Sequence, residues 1–237
     1  MKNDDFAGRC ALVTGAAGNL GRAVAAELGV RGASLVLVDR DLAALRRAFG
    51  DDAPQRLCVA ADLLDSAQAQ AAFDAGVARF GRVHVVCNLA GGFRMGEAVH
   101  ETSEATWEFL WSLNVRTLLH TAQAAVPHFL ARGDGKIVNV GAFGAQRGAA
   151  AMGAYTAAKS AVIRLTESMS AELKERGINV NCVLPTIIDT PENRAAMPDG
   201  DPARWVAPAD LARAIAFLAS DDARAIHGAA LPVAGLS

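Results

Sequence analysis

The sequence predicts an α/β fold: a doubly wound parallel sheet of about seven strands with helices on both faces, built as one domain over residues 1–237. Three observations predict it. Short apolar runs of strand length alternate with longer stretches of helical period. The runs are near-continuous in Val, Leu and Ile instead of alternating with polar residues, which is how strands covered on both faces read. Three evenly spaced glycines close the first run, where such a fold holds an anion at the start of its first helix.

The elements follow in order. CALVTG at 10–15 leads through the glycine turn into an Ala-rich amphipathic helix at 20–30. SLVLVD at Ser34–Asp39 is the second strand and RLCVAA at 56–61 the third. A helix at 67–80 precedes the fourth strand, VHVVCN at 83–88. The helix at 104–130 is long, and Pro127, with no N–H and a ring that clashes with the preceding turn, should kink or end it. KIVNVG at 136–141, a helix at 154–174 and INVNCVL at 178–184 come next. Residues 185–208 break the rhythm with Pro, Asp and Met, and read as a long substrate loop over a site. A helix at 210–219 and a last strand, AALPVAG at 229–235, finish the chain. Strand–helix–strand repetition is the pattern that right-handed crossovers turn into a parallel sheet.

Composition narrows the function. Hydrophobic residues are 52% and charged residues 20%, enough for a sizeable core. Lys plus Arg number 23 against 25 Asp plus Glu, so the basic excess of a nucleic-acid binder is absent. No apolar run reaches the roughly 20 residues of a membrane span, so no membrane partner is expected. The acidic start MKNDDFAGRC has no apolar core of a secretory signal, and a cytoplasmic location is expected. Cys10, Cys58, Cys87 and Cys182 each sit in an apolar run with no C-x-x-C pair, and read as strand residues in a reducing compartment, with no metal site. His84, His100, His120, His128 and His227 have no ligand spacing, Trp107 and Trp111 read as a packing stripe, and Arg40, Arg46 and Arg47 as a solvated helix face.

Two places carry chemistry. Gly15, Gly18 and Gly21, with Asn19 and Leu20 between them, join the first strand to the first helix, so the chain can turn tightly, approach a pyrophosphate and offer it free N–H groups: a Rossmann-type arrangement. Asp39 ends the second strand, where an acid accepts the adenosine ribose hydroxyls and repels a 2′-phosphate, favouring NAD(H). Arg40 beside it leaves NADP(H) open, and Asp39 could instead cap a helix from Leu42 onward. Tyr155, the only tyrosine, stands one helical turn before Lys159, so the two share a face. An ammonium beside a phenol lowers its pKa, and such a pair passes a proton to or from a carbonyl or alcohol.

Taken together, these residues resemble the short-chain dehydrogenase/reductase family across essentially the whole chain: the Gly15–Gly18–Gly21 turn, Asp39, Asp62, Asn88-Leu89-Ala90-Gly91, Asn114, Tyr155-x-x-x-Lys159, and Pro185 followed by Thr190. The resemblance implies that Asp62 and Leu63 contact adenine, that Asn88, Ala90 and Gly91 support the cofactor ribose, and that Ile188 and Thr190 anchor the carboxamide. It implies that Asn114 holds a water of a proton relay through Lys159, which also binds the nicotinamide ribose. Two departures stand out. Ala142 takes the position, thirteen before the tyrosine, where members usually carry serine, and Asn19 stands where a glycine is usual. Both departures, Ala90-Gly91-Gly92 and the stretch from Leu184 to Trp205 are similar to the dihydropteridine reductases.

The expectation is therefore a nicotinamide-dependent oxidoreductase acting on a small carbonyl, alcohol or quinonoid ring. Its substrate pocket would be drawn from Phe93, Phe143, Met152, Ile188, Met197 and Trp205, and it would assemble as a homotetramer or homodimer through its Ala-rich helices. The competing readings are a dihydropteridine reductase-like enzyme, a 3-oxoacyl-carrier-protein reductase-like enzyme, and a non-catalytic cofactor-binding regulator.

Overall fold

A computed structural model describes residues 5–237; residues 1–4 lie outside it. Seven parallel strands form one sheet: β1 Cys10–Thr14, β2 Ser34–Asp39, β3 Arg56–Ala60, β4 Val85–Asn88, β5 Gly135–Val140, β6 Ile178–Pro185 and β7 Ala230–Val233. Their order is β3-β2-β1-β4-β5-β6-β7, and each neighbouring pair is parallel. The order reverses between β1 and β4, so a crevice opens there at the carboxyl ends of the strands, where folds of this type bind ligands.

The strands read as continuous apolar runs because both of their faces are buried. Ala11, Val13, Leu35 and Leu37 join one core with helices α1 (Asn19–Val30) and α8 (Pro208–Ala219). Cys10, Leu12, Val36 and Val38 join a second core with α3 (Ser66–Phe80) and α5 (Thr117–Arg132) on the opposite face. Two helices flank the site, α4 (Glu104–Trp111) and α6 (Gly153–Leu173). A third core of Val115, Leu118, Val162, Ile163 and Leu184 lies beneath it. Cys10, Cys87 and Cys182 are buried, Cys58 is half-buried, and all four are free thiols.

Three expectations are corrected. Pro127 does not end its helix: α5 runs on to Arg132. Both Pro127 and Gln123, whose carbonyl the missing N–H would have met, face solvent, so water can take the place of the lost donor. The long helix is interrupted earlier instead, by a π-turn at Ser112–Arg116 joining α4 to α5. Helix α2 (Leu42–Phe49) is the helix expected from Leu42 onward, and Leu45 is its one buried residue. Asp41 caps it by accepting from Ala44 N, so Asp39 is not the cap. Residues 185–208 are also more structured than a loop: Ile188 bridges Val206, α7 occupies Pro191–Ala196, and one 3-10 turn follows at Pro202–Arg204.

Candidate active site

The glycine turn is held by backbone contacts that larger residues would break. Gly15 has a φ of 61°, and a Cβ on it would come within 3.1 Å of the Ala90 backbone. A Cβ on Gly21 would lie 2.2 Å from the Gly15 carbonyl oxygen, so only glycine lets α1 pack this closely on the turn. Gly18 caps α1 with no side chain, and the first turn carries no acid, so its N–H groups and positive dipole end stay open to an anion. Asp39 Oδ2 accepts from Ala17 N at 3.1 Å, which sets the carboxylate beside the turn. Arg40 is exposed next to it. Leu20 packs on the first core.

Behind the turn, Thr14 Oγ1 accepts from Leu89 N at 2.9 Å and Ala90 N at 3.1 Å, tying the end of β1 to the segment after β4. Asn88 Nδ2 donates to Asn139 Oδ1 at 2.9 Å, and Asn139 Nδ2 donates to Thr166 Oγ1 at 2.9 Å. Asn88 Oδ1 is buried with no protein donor. An acceptor left unmet at this depth costs about 1–3 kcal/mol, which fits a position that a ligand hydroxyl completes. The open helix end, the acid beside it and this unmet acceptor together fit a dinucleotide.

Asn114 lies in the π-turn. Its Nδ2 donates to Leu110 O at 2.9 Å and Gly92 O at 3.0 Å, and its Oδ1 accepts from Gly92 N at 3.2 Å. The side-chain amide therefore clamps the segment after β4 to the helix. Two side chains converge on Gly91: a Cβ there would lie 2.9 Å from Asn114 Oδ1 and 3.3 Å from Lys159 Nζ.

Tyr155 and Lys159 sit in the first two turns of α6. Lys159 is 6% exposed, its Nζ donates to Val140 O at 2.8 Å, and burial pulls its pKa down to about 8. Burial pushes the Tyr155 phenol up to about 12. The expectation of a phenol lowered by the neighbouring ammonium is thus not met in the free protein: the ammonium is turned onto a backbone carbonyl, and desolvation of the phenolate dominates. Phe93 meets Tyr155 edge to face, with ring centroids 4.8 Å apart. A cavity of about 150 Å³ opens at Tyr155, lined among others by Met152, Leu110, Thr106, Arg94 and Glu97.

The remaining sequence candidates divide. Asp62 is exposed, and its Oδ1 accepts from Leu64 N at 2.9 Å. Leu63 is buried in the second core, while its carbonyl meets His120 Nδ1 at 2.8 Å. Pro185 ends β6, and Thr190 caps α7 by accepting from Asn193 N. Asn193 Nδ2 donates to Ile188 O at 2.8 Å. Of the expected pocket residues, Met152 lines the cavity and Phe93 borders Tyr155. Phe143 is exposed, and Trp205 is buried against the turn at Gly200. Ala142 is buried in the apolar cluster on which Tyr155 packs and leaves that place without a hydroxyl. Sequence reasoning missed Arg94, Glu97, Thr102 and Thr106. Arg94, Glu97 and Thr102 lie in the irregular stretch between β4 and α4, where no periodicity marks a residue, and Thr106 lies in the first turn of α4.

The family model described as short chain dehydrogenase matches residues 9–200. The chain is 36% identical over 240 residues to the cis-4-hydroxycyclohexanecarboxylate dehydrogenase of Sinomonas cyclohexanicum, covering 97% of this chain and 96% of that one. Among solved structures it is similar to the 3-ketoacyl-(acyl-carrier-protein) reductase from Brucella melitensis complexed with NADH (TM-score 0.87, 32% identity, covering 97% and 98%). It is also similar to the carveol dehydrogenase from Mycobacterium avium in complex with NAD (TM-score 0.86, 27% identity, covering 98% of each).

Proposed function

The chain belongs to the short-chain dehydrogenase family, and on that ground we propose that it is an oxidoreductase moving a hydride between a nicotinamide dinucleotide, NAD(H) ahead of NADP(H), and a small alcohol–carbonyl pair. The observation that carries the reading is the approach of Asn114 and Lys159 to Gly91 behind the glycine turn, with Tyr155 one helical turn before Lys159 on the wall of a small cavity. Relatives solved with NAD and NADH support the cofactor, and Asp39 beside the turn supports its non-phosphorylated form.

Bound nicotinamide supplies or accepts the hydride; the proton is the protein's task. Tyr155, a neutral phenol at working pH, donates it to the carbonyl oxygen of a substrate in the cavity. Lys159, fixed by Val140, holds the cofactor ribose and lowers the phenol once the site is filled. Asn114 fixes the segment after β4 and holds the relay water at the π-turn. Gly15, Gly18, Asn19, Leu20 and Gly21 would hold the pyrophosphate, Asp39 and Arg40 the adenosine ribose, and Asp62 and Leu63 the adenine. Asn88, Ala90 and Gly91 would support the second ribose, and Pro185, Ile188 and Thr190 would anchor the carboxamide. Residues 185–208 close over the substrate. Ala142 favours a second reading, a quinonoid ring acceptor that needs less help at its oxygen.

A homotetramer or homodimer in the cytoplasm completes the proposal. Trp111, 41% exposed on α4, supports a helix-to-helix contact between copies. No helix among the described residues is long and apolar enough to cross a membrane. The test is a panel of ring ketones and quinonoid pterins assayed with NADH and NADPH, with fluorescence titration of both cofactors. Turnover with tighter NADH binding, and a smaller gap in Asp39→Ala, is the expected result. Absence of turnover across the panel overturns the reading.

A further inference from the structure

We infer that Arg94 selects the substrate, and that the substrate is a single-ring hydroxy- or oxo-carboxylate whose carboxylate the Arg94 guanidinium receives while its carbinol or carbonyl carbon faces Tyr155. This rests on the reading that Tyr155 faces the reacting oxygen.

Four observations carry it. Arg94 and Tyr155 line the same cavity. The Arg94 guanidinium carbon stands 3.8 Å from the centroid of the Phe109 ring. A guanidinium stacked by its face keeps its in-plane N–H fork free for a partner at its edge, the geometry that matches a carboxylate. Yet no carboxylate pairs with it: none of the ion pairs among the described residues includes Arg94. Phe109 is itself held, since a Cβ on Gly92 would come within 3.3 Å of its ring. The cation is therefore positioned on a fixed aromatic plate with its donors unspent.

Size sets the rest of the class. The cavity, about 150 Å³ and open on one side, has room for one benzene-sized ring. Arg94 directly follows Phe93, whose ring touches Tyr155, so anion site and reacting oxygen bracket one small ring.

Glu97 argues the other way, as an acid on the same cavity wall. Both side chains are exposed, and Arg94 outweighs Glu97 because its guanidinium lies over the Phe109 ring, whereas no hydrogen bond or ion pair among the described residues fixes the Glu97 carboxylate. Glu97 instead disfavours anions that lie off the Arg94 edge.

The experiment uses the cofactor-loaded protein and reads binding first. Cyclohexanecarboxylate, cyclohexanecarboxamide and cyclohexylamine are titrated by calorimetry and thermal shift into the protein and into Arg94→Gln and Arg94→Lys. The carboxylate is expected to bind about 10- to 100-fold tighter than the amide, as one charge-assisted hydrogen-bonded pair supplies. Arg94→Gln abolishes that ratio and Arg94→Lys keeps part of it, while circular dichroism confirms that both variants are folded. Equal binding of carboxylate and amide overturns the inference, and so does tightest binding of the amine, which would assign the cavity to Glu97. Turnover is then read with 4-oxocyclohexanecarboxylate and its amide. If neither consumes NADH or NADPH while the Arg94-dependent preference persists, the hydride-transfer reading falls and the anion site stands. If both are consumed with no preference, the anion site falls and the reading stands.

Discussion

Asn19 Nδ2 donates to Glu192 Oε2 at 2.7 Å, joining the glycine turn to α7 across 173 positions of sequence. Asn19 Oδ1 also accepts from Arg22 at 2.7 Å, so one side chain that replaces a usual glycine ties the segment after β6 to the phosphate end of the site. The Glu192 carboxyl is held below its usual range by its own backbone N–H first, with Thr190 and Asn19 adding to it.

The first prediction concerns that tie. An exposed hydrogen bond is worth little to the fold, so Glu192→Ala should unfold within about 1 kcal/mol of the unaltered protein. It should instead release bound NADH faster, because α7 is freed from the turn. Displacement of NADH followed by stopped-flow fluorescence measures this. An unchanged dissociation rate would show that the tie does not gate the cofactor.

Tyr155 is the only tyrosine, so the near-ultraviolet phenolate band reports it without overlap from another phenol. After a pH jump on the cofactor-free protein, its midpoint should lie well above the ordinary phenol value of 10.0, near the value of about 12 that burial imposes. Saturating oxidised cofactor should bring it down by adding positive charge nearby. A free-protein midpoint at or below the ordinary value would mean that Lys159 already acts on the phenol before cofactor arrives.

Lys159 should leave a signature in stability against pH. Its folded pKa is lowered by burial to about 8 from 10.5. Below about pH 8 both folded and unfolded chains hold the proton, and the cost of the buried ammonium is fully present. Between about 8 and 10.5 the unfolded chain binds more protons, so Lys159 makes stability rise with pH across that window. Lys159→Met removes the ammonium, and its stability advantage over the unaltered protein should shrink from pH 7 to pH 10. Urea unfolding at both values decides it, and a constant difference would place the Lys159 proton elsewhere.

In the proposed reaction, Ala142 leaves Tyr155 as the hydroxyl that serves the substrate oxygen. Ala142→Ser should raise kcat/KM on unactivated ketones by up to the 10²–10³-fold that one such donor supplies, with little gain on a quinonoid acceptor. Gln146, the loop residue best suited by length to replace the serine, donates instead to Phe143 O at 3.4 Å and lines a separate hollow with Ser160 and Arg164. Ordinary ketone rates unaffected by Ala142→Ser would require a donor from the Arg94–Thr106 wall.

The strands were legible because burial on both faces writes itself as Val, Leu and Ile without interruption, as in Leu35, Val36, Leu37 and Val38. The glycine turn and the Tyr155–Lys159 pair were legible because their spacing is local. The π-turn was not, since Ser112–Arg116 carries the same apolar rhythm as the helices it joins and its rearranged hydrogen bonds leave no mark on residue type. Arg94 was missed for a related reason: its meaning comes from Phe109, on another element, and from a cavity wall that sequence neighbours do not share.

The strand order has a consequence for the chain as it is made. β1 pairs with β2 along one edge and with β4 along the other. When residues up to β3 have emerged from a ribosome, β1 still shows an unpaired edge, and Thr14 has not yet met the amides of Leu89 and Ala90. The phosphate turn therefore reaches its final shape only after a distant part of the chain arrives. Until then the nascent half exposes a sticky Val- and Leu-rich border, the kind of intermediate that recruits chaperones and that binding of a dinucleotide cannot yet rescue.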